Sequence, residues 1–175
     1  MIRKKKKFMW PRKLYDKPRI LDENKLVKKY GLKNKREIWK TEAKVNYFRT
    51  RAKALINESQ EEQKTFFNKL NQIGLKVNSI ADVLSLGMVD LLERRLSTVV
   101  YSKGLASTPR QARQMIVHKK ILMGDKMVSS PSYLVKIDEE KKIKIKKKAV
   151  TPRAVEENNT QESNELNVEV EASND

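Results

Sequence analysis

The sequence predicts an α+β chain, mostly helical, with a helical N-terminal region, a small two-helix and β-hairpin module, and a disordered acidic C-terminal tail. Three observations carry that expectation. Apolar residues recur at helical spacing from Asp22 to Gly104, with capping residues at the breaks. Short runs that read as strands then flank a Gly124-Asp125 tip. After Arg153 the charge reverses and aromatic residues cease.

Residues 1–20, MIRKKKKFMWPRKLYDKPRI, read as a basic extended arm, because Pro11 and Pro18 discourage helix and no apolar period is present. Such an arm suits threading between phosphates. Arg3, Lys4, Lys5, Lys6, Lys7 and Arg12 are its candidate contacts, with Trp10 free to stack on an unpaired base.

Residues 21–87 read as a helical domain. Asp22 caps a short helix that Gly31 ends. Asn34 and Glu37 resemble a capping box opening a long helix. Ile38, Val45, Phe48, Ala52, Leu55 and Ile56 form its apolar stripe, while Arg36, Arg49 and Arg51 lie among the cations of the remaining surface. Ser59 and Glu62 suggest a second box before Phe66, Phe67, Leu70 and Ile73, with a stop at Gly74. Ser79 starts a short turn through Val83, Leu84 and Leu86 to Gly87.

Residues 88–148 read as a compact module. Met88, Leu91, Leu92, Leu96, Val99 and Val100 make one stripe that Gly104 terminates. Thr108, Pro109 and Gln111 open a second helix as a T-x-x-Q box with proline at the first position. Ala112, Met115 and Ile116 face inward there, and Arg110, Arg113 and Gln114 share another face. The runs ILM and KMV around Gly-Asp, then YLVKI and KIKI, read as strands. Residues 149–175 form the acidic tail, too poor in apolar surface to offset chain ordering.

Charge narrows the partner. The chain carries 39 Lys+Arg against 22 Asp+Glu, a net of +17. Seven of the acids lie beyond residue 153, so residues 1–153 alone carry +24. Like charge at that density repels itself, and a polyanion relieves it by releasing condensed counterions. Nucleic acid is favoured over an anionic membrane surface. No apolar run approaches the roughly 20 residues that span a bilayer, and no signal-peptide core follows the basic N-terminus. With no cysteine there is neither a disulfide framework nor a thiolate metal site.

The helix opened by Thr108 is the sharpest candidate. First-turn N–H groups favour an anion, and Arg110 and Arg113 add planar donor forks for phosphate. Gln111 and Gln114 are candidates for phosphate, sugar or base edges, Gln111 alternatively serving its own cap. Arg94, Arg95, Lys103, Lys119 and Lys120 flank the same unit. His118, the single histidine, reads first as a polar side chain near the hairpin base and second as an RNA hydrogen-bonding group. It supports neither a metal site nor a triad. No cofactor and no catalytic residue are expected.

The stretch RRLSTVVYSKGLASTPRQARQMIVHKKILMGDKMVSSPSYLV resembles the RNA-binding module of the universal S-four family of small-subunit ribosomal proteins. Upstream, LVKKYGLKNKREIWK resembles the archaeal branch of that family, so the similarity covers most of residues 10–145. The resemblance implies a structural, non-enzymatic protein that binds the 5′ domain of small-subunit ribosomal RNA and nucleates assembly. It also implies a position near the path by which messenger RNA enters, beside ribosomal proteins S-five and S-three, with an influence on decoding accuracy and a cytoplasmic location. Three departures matter. His118-Lys119-Lys120-Ile121 stands where the family usually has His-Gly-His-Ile, and the hairpin tip is Gly-Asp, which suits a type II′ turn. Ser97 stands where an aspartate is frequent, and the cysteine zinc site of some bacterial members has no counterpart.

Overall fold

The computed structural model describes residues 7–146. The expectations for residues 1–6 and for the acidic tail lie outside that span.

The first helix, α1, spans Lys17–Tyr30 and so begins before Asp22. Pro18 lies in its first turn, where a missing N–H costs no hydrogen bond. The helix ends at Gly31, whose φ of 60° is left-handed. A side chain there would also collide with the next layer, because a Cβ on Gly31 would stand 2.9 Å from the carbonyl carbon of Pro109. Only glycine permits that approach.

Helix α2, Arg36–Ala54, buries Ile38, Val45, Phe48 and Ala52 along the expected stripe. A 3₁₀ turn, Leu55–Asn57, continues it, burying Leu55 and leaving Ile56 exposed. Helix α3, Gln60–Ile73, starts at Ser59 without the expected side-chain cap and ends at Gly74. Helix α4, Ile80–Ser85, does carry a capping box, between Ser79 and Asp82.

The stripe expected from Met88 to Val100 is two helices, not one. Helix α5 spans Met88–Glu93 and α6 spans Leu96–Ser102. Arg95 between them is extended and forms a bridge with Leu134, while Leu96 donates its N–H to the Tyr133 carbonyl and Val135 donates to that of Arg94. The run YLVKI therefore spends its backbone on this break rather than on the sheet. Its Ile137 opens a helical turn, α8, Ile137–Glu140.

Helix α7, Pro109–Val117, is capped by Thr108, whose hydroxyl accepts from the Gln111 N–H at 3.2 Å. Strands β1, Ile121–Met123, β2, Lys126–Met127, and β3, Ile143–Ile145, form an antiparallel sheet in the order β2-β1-β3. Met123 pairs with Lys126, which leaves Gly124-Asp125 as a two-residue turn. Gly124 has φ 61°, and Asp125 is not among the positive-φ residues, as a type II′ turn requires.

Three apolar clusters result. One joins α2, α3 and α4 through Val45, Phe48, Leu70 and Val83, and it includes Leu91 of α5. A second joins α6, α7 and the sheet through Leu96, Val100, Ile116 and Ile121. The third holds Tyr30, Leu32, Ile38 and Leu92. Helix α5 thus packs with the helical unit, although Met88 was the expected start of the module.

Candidate nucleic-acid interface

The cations singled out in the sequence divide into two groups. The inner group is already engaged. Glu37, expected to serve the α2 cap, instead accepts from Arg95 Nη2 at 2.5 Å and from Arg113 Nη2 and Nη1 at 2.7 and 3.1 Å. This seam joins α2 to the break before α6 and to α7. Burial alone would raise the Glu37 carboxyl, but the bonds from Arg113 and Arg95 outweigh it and hold the group below the usual carboxylate range. Arg95 is 4% exposed. Its Nε and Nη1 have no acceptor among the described residues. Arg94 donates to the carbonyls of Ile73 (2.7 Å) and Val135 (3.1 Å) and to Glu140 (2.9 Å). Arg113 was expected beside Arg110 on one free face, but it turns inward because a carboxylate on another element lies within reach.

Other candidates are committed locally. Gln111 takes the capping role: its Oε1 accepts from the Ser107 N–H at 2.9 Å. Lys103 donates to the Glu140 carbonyl. Arg49 donates to the Leu86 carbonyl at 2.7 Å, and Arg51 lies 3.6 Å from Glu58.

The outer group is solvent-facing. Arg110 and Gln114, four apart on α7, and then His118, Lys119 and Lys120 are exposed, with no side-chain partner among the described residues. The path of this rim is set by the end of α7. Lys119 donates its N–H to the Ile116 carbonyl and Lys120 to that of Met115, both at 2.9 Å, a Schellman closure. That closure puts Lys119 at φ 55°, the only positive φ among the non-glycine residues described. A lysine therefore holds the conformation for which the family resemblance supplies glycine.

The arm is docked over its described part. Trp10 packs against Trp39 with ring centroids 5.1 Å apart, and Phe8 lies 5.8 Å from Trp10. Arg36 sits over the Trp10 ring at 5.5 Å. Arg19 donates to the carbonyls of Lys13 and Leu14. Its Nη1 bonds buried Glu23, which also accepts from the Trp39 indole at 2.9 Å and pairs with Lys35 at 3.2 Å. Trp10 remains 47% exposed, and Lys7 and Arg12 of the same arm are exposed as well. Sequence spacing alone gave no sign of this docking, since its anchor, Trp39, lies in a different helix.

Among the described residues no helix is long and apolar enough to cross a membrane, and no group of three or more His, Cys, Asp or Glu side chains could hold a metal ion.

The family model described as the S4 domain matches residues 94–141, the unit that carries the rim. A small ribosomal subunit protein uS4 from Hyperthermus butylicus is 44% identical over 142 residues, covering 78% of this chain and 81% of that one. The protein of the same name from Methanococcus aeolicus is 45% identical over 142 residues, covering 73% and 80%. That from Nanoarchaeum equitans is 44% identical over 151 residues, covering 82% and 84%. Identity at this level, over both the helical unit and the module, means that the chain belongs to the small ribosomal subunit protein uS4 family, alongside its archaeal members.

Proposed function

We propose that this protein is a non-enzymatic structural constituent of the small ribosomal subunit that binds the 5′ domain of the small-subunit ribosomal RNA. The observation that carries the reading is the exposed cationic rim of Arg110, Lys119 and Lys120, with Gln114 and His118 between them and no side-chain partner among the described residues. The rim lies on the segment matched by the S4 domain. Phosphate contacts from these side chains position the protein by the shape of folded RNA, which suits RNA better than reading bases in a duplex groove. Arg12, Arg36 and the part-exposed Trp10 extend the surface onto the helical unit. Arg94, Arg95 and Arg113 hold the two units together behind it. By family resemblance the protein acts early in subunit assembly, beside ribosomal proteins S-five and S-three near messenger RNA, and supports accurate decoding in the cytoplasm.

The test is salt dependence on a junction fragment of that RNA. Neutralising six to ten phosphates lowers affinity by roughly 10³ to 10⁵ between 50 and 200 mM salt, by the duplex-DNA relation. A nearly salt-independent affinity would refute the reading. Stoichiometric retention in salt-washed subunits is expected, whereas loss on washing would identify an assembly factor instead.

A further inference from the structure

Between α2 and the segment that follows the hairpin lies a cleft of about 830 Å³. The sequence pattern singled out Lys7, Arg95 and Arg113 as separate cations but did not bring them together with Tyr47 and Leu134 in one cleft. Its interior carries apolar side chains, Leu91 and Leu134 among them. Lys7 from the arm and Lys40 and Lys44 from α2 supply cations, and Tyr47, 65% exposed, supplies an aromatic ring. The one acidic residue in the lining is Glu37, whose charge is already matched by Arg95 and Arg113. The three lysines have no acidic partner among the described residues.

We infer that this cleft takes an unpaired ribonucleotide turned out of folded RNA, its phosphate among Lys7, Lys40 and Lys44 and its base stacked on Tyr47. The inference rests on the RNA-binding reading above and adds to it a site for single-stranded RNA. A continuous helix presents only phosphates and sugar edges, which would use the lysines but leave the ring and the apolar wall without a partner. A nucleotide offers anion, ribose and π-face together, and splayed bases are what proteins commonly stack in RNA. The volume lies within the range of small-ligand sites, roughly 300–1,000 Å³. Two features favour an anion at this site. Lys44 is held below the ordinary lysine range, first by burial and then by the like charge of Lys7. Arg95, in the wall, leaves Nε and Nη1 without acceptors among the described residues.

The experiment uses the full chain with two labelled probes, a short single-stranded oligoadenylate and a blunt RNA duplex, followed by fluorescence anisotropy. Tyr47→Leu is expected to weaken oligoadenylate binding about tenfold, within the range for losing one stacked base. Tyr47→Phe should keep it, and duplex affinity should stay the same in both variants. Lys40→Ser with Lys44→Ser should weaken oligoadenylate binding and flatten its salt dependence. Thermal midpoints are compared throughout, and a midpoint unchanged by substitution of so exposed a tyrosine excludes unfolding as the cause. Equal affinity of Tyr47→Leu and the parent for oligoadenylate would overturn the proposal, as would an equal loss on the duplex. So would displacement of oligoadenylate by polyglutamate with the same sensitivity to Tyr47→Leu, which would mark the cleft as a peptide site. In each of these cases the rim could still bind RNA; failure of the parent protein on both probes would instead sink the RNA-binding reading itself.

Discussion

Arg113 and Arg110 sit three residues apart on one short helix, yet they belong to different parts of the molecule. Arg113 meets Glu37 and closes the seam between the helical unit and the S4 domain. Arg110 meets no side-chain partner among the described residues and stays on the rim. What separates them is not residue type or local spacing but a carboxylate on another helix, 76 positions away in the sequence from Arg113. A basic face is a binding surface only where the fold has not supplied its own anion.

The seam should fail first under substitution. Glu37→Gln leaves two guanidinium groups inadequately paired, one of them buried, and breaking a buried ion pair costs about 3 kcal/mol or more. Urea denaturation at neutral pH should show that loss. A change under about 0.5 kcal/mol, the usual range for surface sites, would place Glu37 with the surface residues and dissolve the comparison. Arg113→Ala should likewise cost stability, so an Arg110 and Arg113 double variant is not a neutral probe of RNA contact.

Acid should erase the same difference. The Glu37 carboxyl is depressed in the folded state, so its contribution is present above the unfolded value, about 4.3, and is lost as pH falls through the lower folded value. The stability gap between parent and Glu37→Gln should therefore narrow on acidification below about pH 4. A gap independent of pH would mean that the glutamate acts by shape alone.

Lys119 tests the rim from its backbone. A left-handed residue with a Cβ costs roughly 1 kcal/mol, so Lys119→Gly should stabilise the chain by about that amount while weakening RNA binding. Stabilisation with unchanged affinity would show that this cation touches no phosphate. Arg110→Ala should move stability by less than about 0.5 kcal/mol and reduce the salt slope of RNA binding by about one. The smallest effect belongs to Ser97→Ala. Ser97 is buried and its hydroxyl has no partner among the described residues, so removing the oxygen should be neutral to slightly stabilising in thermal denaturation.

Local chemistry was legible in the sequence. Gly31, Gly74, Ser79 and Thr108 mark real helix ends, and Gly124-Asp125 makes the expected turn. These signals act within a few residues. What the pattern hid depends on pairing across the chain. The stripe from Met88 to Val100 breaks because Arg95 meets Leu134, and Glu37 abandons a local cap for Arg95 and Arg113. Pro18 was read as a barrier, yet it sits in the first helical turn, the one place where helix and proline agree. The cationic character of the interface was plain in the composition. Which cations remain free was set by acids elsewhere in the fold.

Helix α5 has a consequence for how the chain gains and loses its structure. Leu91 enters one apolar cluster, Leu92 a second, and Leu96, just past the break, a third. Six residues thus touch every core, and each core is too small to stand as a separate domain. Melting of one cluster loosens the anchor of the other two, so calorimetric and van't Hoff enthalpies should agree. Amides of α5 and α6 should exchange with solvent only through global opening, after the ends of α1 and α3 have already exchanged. A nascent chain would then hold no finished body until Ile143, the last member of the cluster that Leu96 enters, is free to join, and the whole body would set in one step.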